Sequence, residues 1–198
     1  TGLQSTGSIV INTANSDSTL RTGSLTLSTG DTDAGPTGDV SISTGDSKIN
    51  ALNQAGSIDI SAGSSSSGIG ASVSVNGGAA VSHTGGAVTV TTGTGHLSTG
   101  SGALTMKSAV ATAGGLSGEV TLASGDSRGA SGDLVLSTGA SSAGQGGDIL
   151  ATVGDTVGGI GGDVVVTAGR AATSTGGNIA LTSGFGALSS SGKIDLFT

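Results

Sequence analysis

The sequence predicts an all-β fold, a parallel β-solenoid (β-helix) of about thirteen 15-residue strand–turn units with no helix. Three observations carry this reading. A short phrase recurs along the whole chain, in its clearest form GDLVLSTG at Gly132 to Gly139. Within each copy apolar and polar residues alternate with period two, as on a half-buried strand. Glycine brackets the copies, supplying 40 of the 198 residues, and glycine permits the close backbone approach that corners need.

The other clear copies are GSLTLSTG from Gly23, GDVSISTG from Gly38, GEVTLASG from Gly118, GDILATVG from Gly147, GDVVVTAG from Gly162 and GNIALTSG from Gly177. The first apolar residue of each unit falls at Ile9, Leu25, Val40, Ile58, Val73, Val88, Leu104, Val120, Leu134, Ile149, Val164, Ile179 and Ile194. The steps run from 14 to 18, and the last four are all 15. A period sustained over the whole chain identifies a repeat architecture before anything else is read.

Numbered from that first residue, positions 0 and +2 are apolar in every copy, the smallest being Ala151 at +2. The predicted core stack is therefore Val120, Leu122, Leu134, Leu136, Ile149, Val164, Val166, Ile179, Leu181, Ile194 and Leu196. Position +4 is mostly small, as in Thr29, Ala62, Ser124 and Ala168, while +1 and +3 are mostly Ser, Thr, Asp or Asn. One row breaks this polarity: Val135, Leu150, Val165 and Ala180 occupy +1 in four successive copies. Strand propensity on an exposed face explains that row, and so does a flank that packs on another chain; both readings stay open.

Between phrases lie about seven small residues such as DSRGASG, with no helical stripe. An antiparallel meander would need short hairpin turns, often Asn-Gly, and only Asn76-Gly77 has that form. The constant phase favours parallel stacking of like over like. One unit per coil would give a narrow solenoid whose thin second face includes Leu97, Ala113, Ala143 and Leu188; two units per coil would oppose odd and even copies. Bulky pairs at 0 and +2 need a bulky opposing layer, which favours two units. Extra residues at Lys48 to Ala55 and the degenerate stretch Ser64 to Ser82 read as surface loops. Residues 1–198 read as a single array. Neither end carries the polar cap that a solenoid requires, so the array reads as a segment of a longer chain or of a filament.

Composition narrows the function classes. The six Lys and Arg are scattered, the net charge is −7, and only 1% of residues are aromatic. A nucleic-acid surface needs a basic stripe and stacking groups, so none is expected. There is no Cys, hence no disulfide framework and no thiolate metal site. No apolar run approaches the length that spans a bilayer. A mean hydropathy of +0.24 with spaced aliphatics argues against simple disorder. The acidic, weakly charged surface suits an extracellular protein and equally a soluble intracellular one.

Candidate sites are few. Glu119, Asp133, Asp148 and Asp163 stand just before four strands, and Asp31, Asp46, Asp126 and Asp155 come directly after closing glycines. Stacked at corners, the first four would form an oxygen-ligand ladder for calcium. Asx-type turn capping is the favoured reading, so no cofactor is assigned and calcium is the one candidate. GQGGD and GIGGD are similar to calcium-binding nonapeptide repeats, but the period here is 15 and the full phrase does not recur. An ice-binding face would need threonine at both outward positions, and only Thr89/Thr91 has the pair. His83 and His96 read as surface histidines, and Met106 and Phe185 as fillers of wider layers. No N-glycosylation sequon is present, whereas the Ser/Thr-rich surface offers hydroxyls for O-linked sugar.

GSLTLSTG, GDVSISTG and GNIALTSG resemble two groups of large secreted repeat proteins. One is the filamentous-haemagglutinin-like adhesins of bacteria, with right-handed parallel β-helices. The other is the G-D-[VIL]-x-L-S-T-G repeat proteins of diatoms and related stramenopile algae, which the STGD phrase and the 15-residue step favour. The resemblance covers nearly the whole chain and implies an extracellular or cell-surface location. It implies structural or adhesive use and transfers no catalytic residue. The expected function is a non-enzymatic structural building block of a filament, surface appendage or adhesive fibre. Its expected partners are further copies or other surface-structure proteins. The alternative is a ligand-binding module for ice, calcium or glycan.

Overall fold

A computed structural model describes residues 7–17, 19–48, 54–96, 99–112 and 114–197. Leu97, Ala113 and residues 49–53 of the Lys48–Ala55 insertion lie outside them. The chain divides into two units, Thr1–Leu104 and Thr105–Thr198, the division falling inside the Leu104 phrase.

The phrases keep the period-two alternation locally. Thr121 Oγ1 donates to Glu119 Oε1 at 2.8 Å, Asn76 Nδ2 donates to Ser74 Oγ at 2.8 Å, and Lys193 pairs with Asp195. Each pair is two residues apart, and on an extended backbone residues i and i+2 share a side. Positions −1, +1 and +3 therefore lie together on one side of the phrase, as the pattern predicts. The Lys193–Asp195 pair is solvent-exposed and stabilises by at most about 1 kcal/mol.

Several phrases end in a pinched loop that leads to the next copy. In the first unit, the amides of Ala71, Gly86 and Gly102 donate to the carbonyls of Gly63, Gly78 and Gly93 at 3.1, 2.8 and 2.9 Å. In the second, Gly177 donates to Gly169 and Gly192 to Gly184, both at 2.9 Å. All five bonds join position −2 of one copy to position +5 of the copy before it. The preceding +4 residue lies against the same opening glycine. A Cβ on Gly56 would sit 3.5 Å from Thr44 Cβ, one on Gly147 3.5 Å from Thr138 Cβ, and one on Gly162 2.9 Å from Val153 Cγ1. Gly162→Ala would thus push directly on a valine side chain. Within the loops, hydroxyls cap free amides: Ser65 Oγ accepts from Gly68 at 2.8 Å and Ser141 Oγ from Gly144 at 3.0 Å, the ST-turn pattern. Gly114, at φ +82°, allows Gly115 to donate to Thr112 at 3.2 Å. That is the left-handed region, which glycine enters at no steric cost.

The predicted β-solenoid is corrected by this pattern. Among the described residues there is no strand and no helix. A solenoid pairs equivalent positions of successive coils in backbone ladders along its axis. Here the described bonds between copies pair unlike positions, +5 with −2, and each closes a loop of eight or nine residues instead of extending a ladder. The opening residue of each pinched copy is tied to the end of its predecessor, and among the described residues no backbone bond joins equivalent positions of two copies.

The predicted core is corrected with it. No described residue is buried. Val120, Leu122, Leu134, Ile149, Val164, Ile179 and Ile194 are exposed, as are Leu136, Val166, Leu181 and Leu196, because no opposing layer covers them. Some order survives in the degree of exposure. Ile179 at position 0 is 52% exposed, whereas loop residues such as Val157 are wholly so; the extended phrase shields its own first aliphatic slightly. The accessible surface is 19899 Å². A compact monomer of this mass would present about 8,000 Å² and a fully extended chain about 26,000 Å², so most of the surface removed on ordinary folding is still in contact with solvent.

Candidate functional site

The sequence nominates one constellation, the row Glu119, Asp133, Asp148 and Asp163, all in the second unit. Each stands at position −1, immediately after an opening glycine. For them to form a cation ladder, successive −1 positions must stack at about the 4.8 Å strand spacing. Among the described residues no backbone bond joins the copies that carry these four residues, and no three of His, Asp and Glu come together. Glu119 turns to its own phrase through Thr121, and Asp133, Asp148 and Asp163 have no hydrogen-bond or ion-pair partner among the described residues. Calcium needs six to eight oxygens around one point, a density that single exposed carboxylates do not supply. We expect isothermal titration with calcium chloride at neutral pH to give no saturable heat. A stoichiometric, chelator-reversible signal lost in Asp133→Asn/Asp148→Asn would establish a ladder instead.

The Asx-turn reading of the acidic residues is not seen either. Among the described residues the side-chain acceptors that cap loop amides are hydroxyls, those of Thr32, Ser65, Ser127 and Ser141 among them. Serine and threonine reach the backbone one or two bonds from the chain, and the carboxylates stay solvated.

The two histidines are placed apart in role. His96 is held through its backbone: its amide donates to Thr99 Oγ1 at 3.1 Å, and its carbonyl accepts from Thr99 Oγ1 at 2.6 Å and from the Thr99 amide at 3.3 Å. His83 is exposed in the preceding loop. Neither belongs to a group of metal-ligating side chains among the described residues, and no base–nucleophile pair of the kind a catalytic triad requires is formed by them. Met106 and Phe185, read as fillers of wider layers, are 70% and 88% exposed, and Phe197 at position +3 is 88% exposed as well.

Among the described residues there is no cavity and no helix long and apolar enough to cross a membrane. The surface itself remains as the candidate functional feature. Aliphatic residues recur at 0 and +2 in every described copy, with Val135, Leu150 and Val165 adding +1 in the second unit, where they are 76%, 88% and 80% exposed. Sequence reasoning found these rows but put two of them inside. It missed the −2/+5 closures, whose signal was present: glycine holds −2 in every copy except at Ala71, and +5 in each of the first twelve copies except at Ala14 and Ala109. Comparison with protein-family models, with curated proteins and with solved structures gives no match.

Proposed function

We propose that the chain is a non-enzymatic structural segment of an extracellular filament, surface appendage or adhesive fibre, and that it works by associating with further copies of its own repeat. The observation that carries this is the uncovered, evenly spaced apolar surface. A soluble monomer seldom exposes contiguous apolar patches above a few hundred Å². Here every described copy presents aliphatics at least half exposed, at a nearly constant step in sequence. Burial of each such side chain is worth about 1.5–3 kcal/mol, so a periodic array gains strongly from any partner that covers it at the same spacing. A second array of the same repeat has that spacing by construction. The Ser/Thr-rich positions on the other side of each phrase keep one side wet, and the low net charge per unit length, −7 over 198 residues, opposes association only weakly. The secretion and surface location come from the resemblance to secreted repeat proteins, and O-linked sugar on the hydroxyl rows is compatible with them.

Electron microscopy of native material at neutral pH, with and without a calcium chelator, tests the reading. Fibres or sheets unaffected by the chelator are expected, with sedimentation that depends on concentration. Dispersed monomers that shape growing ice or bind glycan would replace the structural reading with a ligand-binding one.

A further inference from the structure

We propose that Asn76–Gly77 is a site of spontaneous backbone modification, at which the protein converts without an enzyme to an aspartyl/isoaspartyl form. The chemistry is intramolecular. The Gly77 amide nitrogen, losing its proton to hydroxide, attacks Cγ of Asn76; a C–N bond forms, the Cγ–Nδ2 bond breaks and ammonia leaves. The resulting five-membered cyclic imide adds water at one of its two carbonyls, giving aspartate or, when the main-chain carbonyl is attacked, isoaspartate. The only co-reactant is water.

Three observations place the reaction here. First, glycine comes after Asn76, so no Cβ shields the attacking nitrogen; the other described asparagines, Asn12, Asn15 and Asn178, precede Thr, Ser and Ile. Second, Asn76 and Gly77 are both exposed, and the Gly77 amide is engaged in no hydrogen bond among the described residues. The nitrogen is therefore open to deprotonation, while the Asn76 side chain lies along the phrase on Ser74 Oγ at 2.8 Å. Third, the structure requires glycine at 77. In the other copies position +4 carries a side chain, as at Thr92 or Thr138, but a Cβ on Gly77 would meet the carbonyl oxygen of Gly86. That close approach belongs to the closure in which Gly86 donates to Gly78 at 2.8 Å. The residue that makes Asn76 labile is thus one that the nearby Gly86 backbone does not let a side-chain-bearing residue replace.

The product changes both charge and backbone. Net charge goes from −7 to −8, and isoaspartate adds a methylene to the main chain just before the Gly78 carbonyl that closes the loop. The expected result is one new acidic band on isoelectric focusing during incubation at mildly alkaline pH. Peptide mapping should place it at Asn76, with the mass gain of replacing NH₂ by OH. Asn76 should convert at least about tenfold faster than Asn15, a barrier difference of about 1.4 kcal/mol. Asn76→Gln leaves Gly77 in place and removes the five-membered ring, so it should hold the protein in its starting band. Conversion of Asn76 no faster than Asn15, or an acidic band in Asn76→Gln that grows at the parent's rate, would overturn the proposal.

Discussion

An isolated chain at micromolar concentration should unfold without a cooperative thermal transition. Cooperative melting needs a core whose exposure supplies the heat-capacity change and the all-or-none character. No described residue is buried, so there is little apolar surface left to expose. Hydrogen exchange should agree. The amides of Ala71, Gly86, Gly102, Gly177 and Gly192 are bonded across loops, but these bonds are solvent-exposed and worth only about 1 kcal/mol each, enough to slow exchange by less than about tenfold. Other phrase amides should exchange at nearly the rate of an unstructured peptide. A sharp calorimetric peak in the dilute chain, or strong protection running through the phrases, would show a buried core and overturn this expectation.

The second large effect is expected only on assembly. Leu136 is 68% exposed and Ser137 beside it is exposed as well, so Leu136→Asp and Ser137→Asp should be equally silent in the dilute monomer. In the associated state they should part. If the 0/+2 row is the surface that further copies cover, Leu136→Asp loses at least about 2 kcal/mol of apolar burial per contact, or roughly 30-fold in the association constant. Ser137→Asp, on the wet side, should change it little. Combining Leu136→Asp with Val166→Asp, 30 residues away in sequence, should nearly abolish association, because separated sites act additively. Sedimentation over a concentration series reads both. Equal shifts for Leu136→Asp and Ser137→Asp would mean that the partner does not distinguish the two sides, and the apolar rows would lose their assigned role.

Several features were legible in the residues alone. The repeat, its phase and its punctuation were open to reading, and so was the sharing of one side by −1, +1 and +3. The pairs Glu119–Thr121, Ser74–Asn76 and Lys193–Asp195 express that alternation, which comes from extended geometry over two residues and needs no partner. Side-chain capping in the loops was expected from aspartate, and the structure gives it to the hydroxyls of Thr32, Ser65, Ser127 and Ser141 instead. The fold class was misjudged, and the reason is physical. Periodicity states which residues are equivalent and not which of them meet. Leu134, Ile149 and Val164 look like one core column because they recur at the step of 15, yet a column exists only if the backbone returns to lay one copy on the next. The same bracketing glycines that could turn a coil corner also let the Gly78 carbonyl close on the Gly86 amide.

By itself, then, the sequence determined the local grammar of the chain: extended phrases, glycine-bounded loops, two aliphatics per copy and no basic or thiol chemistry. Only the tertiary structure decided the pairing. At five junctions it joined +5 to −2, and among the described residues it gathered the carboxylates Glu119, Asp133, Asp148 and Asp163 into no cluster and left the aliphatic rows in water. Alternation is set by bonds within two residues, whereas a ladder or a core depends on contacts a whole repeat apart, which the pattern permits but does not select.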